Sequence, residues 1–221
     1  MEVKYSERFY KNLKVHFKNF MNTFYKIDVK GLENIPEDSN YILAGNHLNI
    51  LDSWLLITIT DETLRFMVDK KLYNFKLGEW FFKKLGTVAV DTNTTDSAKN
   101  YNAIRTAVKL LKDGEKMVIF PEARTHNMKV NYKFKEGATA ISKLSNKVIV
   151  PFGIKGTYIP FTKLEIVIGK PINFKELKIN KEEENDYLEK TVRNLEPFDH
   201  SKVIQIEDTK QPKKLFKKKC S

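Results

Sequence analysis

Residues 41–59, YILAGNHLNILDSWLLITI, contain an apolar run, a polar turn and a second apolar run. The first run is typical of a buried strand, and the second is long enough for a short helix. Asp52 and Ser53 are residue types that cap a helix N-terminus, so the helix is expected to begin there. The stretch therefore predicts a strand, a turn that holds His47, and a helix.

The same alternation of strands and helices continues on both sides of this stretch. Further strands are predicted near residues 26–31, 64–69, 86–91, 116–121, 147–154 and 164–169, and further helices over 71–84, 95–112, 137–145 and 181–194. Several of the strands are too apolar to have one face in water. The pattern predicts an α/β fold with a mostly parallel central sheet flanked by helices.

An amphipathic N-terminal helix is predicted before the first strand, over residues 5–24. Its apolar face is rich in aromatic residues and lies opposite the basic side chains. This face comprises Tyr5, Phe9, Tyr10, Leu13, Phe17, Phe20, Met21 and Phe24. The helix either docks on the core of its own protein or lies in a bilayer interface, and different parts of the face could do both.

The net charge of +11 is concentrated at the two ends of the chain. Residues 1–26 hold six basic and two acidic side chains, and residues 210–221 hold six lysines and no acid. Near an anionic surface each lysine contributes about 1 kcal/mol, although such an arm could also serve only for solubility. Three segments are predicted: an amphipathic membrane-interface helix over 1–26, a folded domain over 27–200, and a basic flexible tail over 201–221.

The sequence also limits where the protein is expected to act. It has no apolar run long enough to span a bilayer and no signal-peptide pattern, so a cytoplasmic location is predicted. The single cysteine, Cys220, excludes a disulfide framework. Because His, Cys, Asp and Glu form no cluster at ligand spacing, we predict neither a metal site nor a cofactor. Nucleic-acid binding is disfavoured because the charge is terminal and no recognition motif is present.

His47 and Asp52 are the first candidates for catalytic chemistry. In one continuous helix they would point apart, but across a strand-to-helix turn they can meet. A carboxylate that accepts a hydrogen bond from one imidazole nitrogen leaves the other free to take a proton from a hydroxyl. The alternative is that both residues merely cap local structure.

A second cluster lies in VIFPEARTHN, residues 118–127. Pro121 ends a buried strand, so Glu122 and Arg124 are expected on the loop at its carboxyl end, where α/β sheets bind ligands. The planar guanidinium of Arg124 suits a phosphate. The alternative is an ordinary solvated loop, and His126 is interpreted as a loop residue only.

These residues resemble the motifs of the glycerolipid acyltransferases typified by 1-acylglycerol-3-phosphate acyltransferase. Asn46-His47 with Asp52 is similar to the NHx₄D motif, and Phe120-Pro121-Glu122 is similar to the FPEG(T)R motif. LGTVAVDT at 85–92 lies between these two motifs, and the Val150-Pro151 pair and VIGKPI at 167–172 come after them, in the same order as in the family. The resemblance covers about residues 30–172.

The resemblance implies an enzyme that moves a fatty acyl group from acyl-CoA or acyl-carrier protein to 1-acyl-glycerol-3-phosphate, giving phosphatidic acid. It implies that residues 27–200 form an acyltransferase domain with His47 as general base and Asp52 as its orienting carboxylate. Arg124 would hold the acceptor phosphate, and Glu122 would position the acceptor or Arg124. Direct transfer is expected, because there is no usable cysteine and no G-x-S-x-G elbow.

Other groups are expected to complete the site. Asn46, or backbone amides near the turn and near Pro151, would polarise the thioester oxygen. Since the acceptor is a lipid, the protein is predicted to lie peripherally on the inner face of the cell membrane, in contact with an anionic surface.

Two departures from the family pattern concern the acceptor. Thr92 stands where the second motif usually ends in arginine, and Ala123 replaces the glycine of the third. The missing charge could come from one of several lysines, namely Lys70, Lys71, Lys129, Lys133 and Lys135. The alternatives are therefore a different lysolipid acceptor, or a non-catalytic basic module that binds membranes or nucleic acid on this scaffold.

Overall fold

The computed structural model describes residues 5–94, 100–125, 130–196 and 204–206. The helices are α1 (Glu7–Phe24), α2 (Asp52–Ile59), α3 (Lys76–Leu85), α4 (Tyr101–Lys112), α5 (Gly137–Ser145) and α6 (Lys181–Leu195). The strands are β1 (Lys26–Lys30), β2 (Ile42–Gly45), β3 (Leu64–Asp69), β4 (Val88–Val90), β5 (Lys116–Ile119), β6 (Val130–Tyr132), β7 (Ile149–Gly156), β8 (Lys163–Ile168) and β9 (Ile204–Ile206).

Seven strands form one sheet in the order β1-β8-β7-β2-β5-β3-β4. All neighbours are parallel except β7 and β8, which are antiparallel. Strands β2, β3, β4, β5 and β7 therefore end at one edge of the sheet, here called the carboxyl edge, and β8 and β1 begin there. The predicted mostly parallel α/β fold is confirmed.

The sheet separates two apolar layers. Alternate residues of a strand point to opposite faces, so Leu43 packs in one layer and its neighbours Ile42 and Ala44 pack in the other. Helices α1 and α2 cover the first face, and α4, α5 and α6 cover the second. In the ranges given above, we find no helix with both the length and the hydrophobicity needed to cross a bilayer.

Helix α1 docks on the protein's own core. Its buried residues Tyr10, Phe17 and Met21 lie on the predicted apolar face. The ring of Phe17 stacks on Trp54 of α2 with centroids 4.0 Å apart, and the Tyr10 hydroxyl accepts a hydrogen bond from the backbone N–H of Leu64. The interpretation as a core helix is confirmed for this part of the face.

The seven predicted strands of the main sheet are all present, but other boundaries differ. The helix predicted over 71–84 begins only at Lys76, because residues 70–73 form a separate 3₁₀ turn capped by Asp69. Gly78 permits this turn to pack on α3, since a Cβ there would lie 2.3 Å from the carbonyl oxygen of Leu72. The start of the helix predicted over 95–112 lies outside the described residues, as does the predicted tail apart from β9, which pairs with β6.

Candidate active site

The His47–Asp52 pair occupies the turn between β2 and α2, at the carboxyl edge. The Nδ1 atom of His47 lies 2.8 Å from Oδ2 of Asp52, so the predicted contact is present. The Asp52 side chain is fully buried, and the His47 side chain is 17% exposed. Because the contact uses Nδ1, the ring presents Nε2 as the nitrogen that can take a proton.

Asp52 holds this turn together instead of capping the helix. Leu51 is the N-cap of α2 and Asp52 is its first residue, so the predicted cap is wrong. The Asp52 carboxylate turns back and accepts hydrogen bonds from the backbone N–H groups of Leu48, at 2.7 Å, and Asn49, at 2.8 Å. These bonds offset the cost of burying the charge.

Tyr158 contributes a further contact to Asp52. Its hydroxyl donates a hydrogen bond to Oδ1, the carboxylate oxygen that does not face His47. Burial and the neighbouring Asp52 charge raise the pKa of Tyr158 far above its usual range, so the hydroxyl stays protonated. Both oxygens of Asp52 are therefore held in fixed directions.

The loop after β5 holds His47 from the other side. The backbone N–H of His47 donates to Oε2 of Glu122 at 2.9 Å. The imidazole stacks on Phe120, with ring centroids 3.9 Å apart and planes 13° from parallel. Glu122 and Phe120 thus fix the backbone and the ring plane of His47.

Glu122 lies on the predicted loop, but it is only 1% exposed. Its Oε1 atom lies 2.8 Å from Nη1 of Arg193 in α6. Arg193 is also buried, and it pairs with Glu196 at 2.7 Å and donates to the carbonyl of Tyr132. Burial alone would lower the pKa of Arg193, but the charges of Glu122 and Glu196 raise it above the ordinary value.

Asn46 is committed to the neighbouring strand. Its side-chain N–H donates to the carbonyl of Ile154 at 2.9 Å, and its side-chain oxygen accepts from the N–H of Ile154 at 2.7 Å. The side chain therefore joins the end of β2 to β7. Both polar atoms of Asn46, which was predicted to contact the thioester, are thus bonded to the backbone of Ile154.

The other groups expected to polarise the thioester are engaged as well. The amides of His47, Leu48 and Asn49 all donate to carboxylates. Pro151 is buried within β7 beside Ala44, and its carbonyl accepts from Gly169 at 2.8 Å. These three turn amides are thus not available for the predicted role.

The region around Thr92 contains two of the candidate lysines. Lys135 donates from Nζ to the backbone carbonyl of Thr92 at 2.7 Å, and the Thr92 hydroxyl bonds Asp69. Lys70 pairs with Asp91 at 2.6 Å. Since the backbone of Lys135 also donates to the carbonyl of Pro121, its side chain extends from the loop after β5, past the end of β3, to the end of β4.

Arg124 and Lys133 lie near the same loop. The Arg124 guanidinium is 4.6 Å from the centre of the Tyr132 ring, and Lys133 lies 3.5 Å from Asp186. His126, Lys129, His200 and Cys220 fall outside the described residues. In the part of the chain that the structure describes, no three His, Cys, Asp or Glu side chains are grouped to hold a metal ion.

Comparisons with known proteins agree with these motifs. The profile of the family described as Acyltransferase matches residues 26–155. A 1-acyl-sn-glycerol-3-phosphate acyltransferase of Bacillus subtilis is 28% identical over 66% of this chain and 74% of its own. The chloroplastic enzyme LPAT1 of Arabidopsis thaliana is 24% identical over 68% of this chain but only 44% of its own length.

A solved structure extends the agreement to the fold. The crystal structure of the 1-acyl-sn-glycerophosphate (LPA) acyltransferase PlsC from Thermotoga maritima aligns with a TM-score of 0.68 at 25% identity. The alignment covers 85% of this chain and 80% of that one. The chain therefore belongs to the acyltransferase family, and its resemblance to the 1-acylglycerol-3-phosphate acyltransferases is confirmed.

Proposed function

We propose that the protein transfers a fatty acyl group from a thioester donor to the free hydroxyl of 1-acyl-glycerol-3-phosphate, giving phosphatidic acid. The observation that best supports this proposal is the 2.8 Å contact between Nδ1 of His47 and Asp52 at the carboxyl edge of the sheet. The names of the relatives support the choice of acceptor. The donor is a thioester of coenzyme A or of acyl-carrier protein.

The reaction is a direct transfer. Nε2 of His47 takes the proton of the acceptor hydroxyl as its oxygen attacks the thioester carbonyl. A carbon–oxygen bond forms, the carbon–sulfur bond breaks, and the proton on His47 passes to the leaving thiolate. Asp52, on the other side of the ring, stabilises the imidazolium that exists between these two proton transfers.

Glu122 and Arg193 contribute by fixing the position of the base. The Glu122 carboxylate holds the backbone N–H of His47, and Arg193 holds the carboxylate. A base must stay within hydrogen-bond reach of the proton that it removes, so small displacements lower the rate. We therefore assign both residues a positioning role and no contact with the substrate.

The acceptor phosphate is assigned to the basic side chains beyond the end of β5. Arg124 lies on the loop that follows this strand, and Lys135 reaches the position of Thr92. A guanidinium and an ammonium together could offset the charge of a phosphate monoester. Lys135 would thus replace the arginine that the family usually has at residue 92.

The domain organisation follows from this assignment. We assign catalysis to residues 27–200 and membrane contact to the N-terminal helix and the basic tail over 201–221. Because the acceptor is a lipid, we place the protein peripherally on the inner face of the cell membrane, where anionic lipids attract clustered lysines.

The test is acyl transfer by the purified protein with acyl-CoA and acyl-carrier-protein donors in parallel. We expect lysophosphatidic acid to be acylated, and His47→Ala to lower the rate by roughly 10²- to 10⁴-fold with an unchanged circular dichroism spectrum. Near-normal turnover in His47→Ala would refute the assignment of the base.

The choice of acceptor needs its own comparison, since Thr92 departs from the family pattern. We expect a 1-acylglycerol that lacks the phosphate to be a poor acceptor, with a raised KM. If the protein preferred another lysolipid, the assignment of the acceptor would be wrong, but the assignment of acyl transfer would stand. If no donor and acceptor pair reacted, and nucleic acid were bound with a steep salt dependence, the chain would be a binding module.

A further inference from the structure

An exposed aromatic surface lies beside the candidate active site. It comprises Ile159 and Phe161 of the loop 157–162, which joins β7 to β8, and Phe20 and the half-buried Phe24 of α1. We call it the aromatic ridge. Phe161 is 79% exposed and Ile159 is 62% exposed, and the rings of Phe161 and Phe24 are 5.9 Å apart.

The loop is held in one conformation that points these side chains outward. Phe161 has a φ of 68°, in the left-handed region that a bulky residue seldom adopts. Its backbone N–H donates to the carbonyl of Phe24 at 2.6 Å, and the N–H of Lys26 donates to the carbonyl of Thr162 at 3.1 Å. The end of α1 therefore supports the exposed tip of the loop.

The ridge lies at the carboxyl edge of the sheet, which is also the edge where His47 lies. β7 ends there and β8 begins there, so the loop between them projects from that edge. Tyr158 belongs to this loop, and its hydroxyl bonds Asp52. The exposed apolar residue Ile159 thus directly follows a residue of the network that orients the base.

The charges around the loop fit an anionic surface. The segment Thr157–Thr162 contains no charged residue, and it lies between Lys155 and Lys163, of which Lys163 forms an ion pair with Asp28 at 2.7 Å. The exposed Lys26 pairs in register with Lys163 across the β1–β8 contact. An apolar tip with basic residues at its base is typical of segments that enter the headgroup region of a bilayer.

We propose that the aromatic ridge inserts into the surface of an anionic lipid bilayer, so that the carboxyl edge and His47 face the membrane. The inference rests on the proposed function, because a lipid acceptor must reach His47 from the bilayer. Large exposed apolar surfaces on a folded protein generally mark a binding partner. The flanking lysines and the adjoining lipid site favour a membrane over another protein.

The test is binding of the full chain to vesicles of phosphatidylcholine that contain phosphatidylglycerol, compared with phosphatidylcholine alone. Ile159→Asp and Phe161→Asp place a charge on the ridge. Aspartate tolerates a positive φ better than phenylalanine does, so Phe161→Asp is expected to fold. Leu144→Asp is the matched control, because Leu144 is 59% exposed at the end of α5, near the start of β7 at the opposite edge.

We expect each ridge variant to weaken binding to the anionic vesicles about ten-fold or more, and Leu144→Asp to bind like the unmodified protein. When the acceptor is presented in vesicles, the ridge variants should also turn over more slowly than Leu144→Asp and the unmodified protein. The difference in turnover should be smaller for a short-chain acceptor dissolved in water. Ridge variants that bind normally, or a Leu144→Asp variant that is equally impaired, would overturn the proposal.

The two proposals fail in distinguishable ways. If the unmodified protein acylates the dissolved acceptor but does not bind vesicles, the ridge proposal is wrong and the proposed function stands. If vesicle binding depends on the ridge and neither acceptor is acylated, the ridge is supported as a membrane contact and the proposed function is wrong.

Discussion

The His47–Asp52 turn and the Glu122–Arg193 pair act on the same histidine but are built in different ways. The turn is mainly local, since its two side chains are five positions apart and Asp52 also accepts from the N–H groups of Leu48 and Asn49 in the same loop. The pair joins the loop after β5 to α6, and both partners are buried. The difference suggests that the proton chemistry belongs to a short segment, whereas its fixed position depends on distant parts of the fold.

The largest effect is expected within the turn. Asp52→Asn keeps the size of the side chain but replaces one acceptor oxygen by an amide that donates. The variant would favour the wrong tautomer of His47, and we expect kcat to fall by roughly 10²- to 10⁴-fold. The measurement is steady-state kinetics on a dissolved acceptor, with thermal unfolding as the control for folding. A change of only a few-fold would mean that Asp52 is structural and does not orient the base.

The next effect is expected at the distant pair. Arg193→Met leaves Glu122 and Glu196 as buried carboxylates without their arginine, and we expect the free energy of unfolding to fall by about 3–5 kcal/mol. Urea denaturation measures this change. The double variant Arg193→Met with Glu122→Gln should recover part of the loss, because it removes one of the two buried charges and leaves that of Glu196. A loss below about 1 kcal/mol would show that the pair behaves like an exposed one.

The smallest effect is expected at Tyr158, whose loop between β7 and β8 touches the His47–Asp52 turn. Tyr158→Phe removes the hydroxyl that donates to Oδ1 of Asp52, and an unsatisfied buried acceptor costs about 1–3 kcal/mol of stability. Tyr25→Phe is the control, because its hydroxyl makes only a 3.2 Å bond to the carbonyl of Tyr158. If both variants were equally stable, Asp52 would be held by the turn alone.

The sequence was sufficient to predict the main sheet, for a physical reason. Parallel strands covered on both faces are continuous apolar runs, and the stretches 42–45 and 149–154 show this directly. The short pair of β6 and β9 was missed, because three residues give no periodicity to detect. The start of α3 was misplaced, because the close approach of Gly78 to Leu72 depends on packing that the local pattern does not show.

The candidate site was predictable only where its contacts are local. His47 and Asp52 were identified because a histidine and a carboxylate flank a strand-to-helix turn. Tyr158 was missed because it lies 106 positions from its partner Asp52. Arg193 was missed because Glu122, its partner at the site, lies on the distant loop after β5. Finding either requires the order of the strands, which brings β7 beside β2 and β5 beside β2 on its other side.

The position of Arg193 limits which segments could be exchanged between this protein and its relatives in a chimera. The region that matches the family profile ends at residue 155, inside β7, and leaves out both β8 and α6. A chimera with a relative joined at that point would inherit the catalytic motifs with a foreign partner for Glu122 and a foreign neighbour for β1. A segment that could be exchanged as a unit would therefore have to extend at least from β1 through Glu196. The segment that holds the motifs would not function if it were transferred alone.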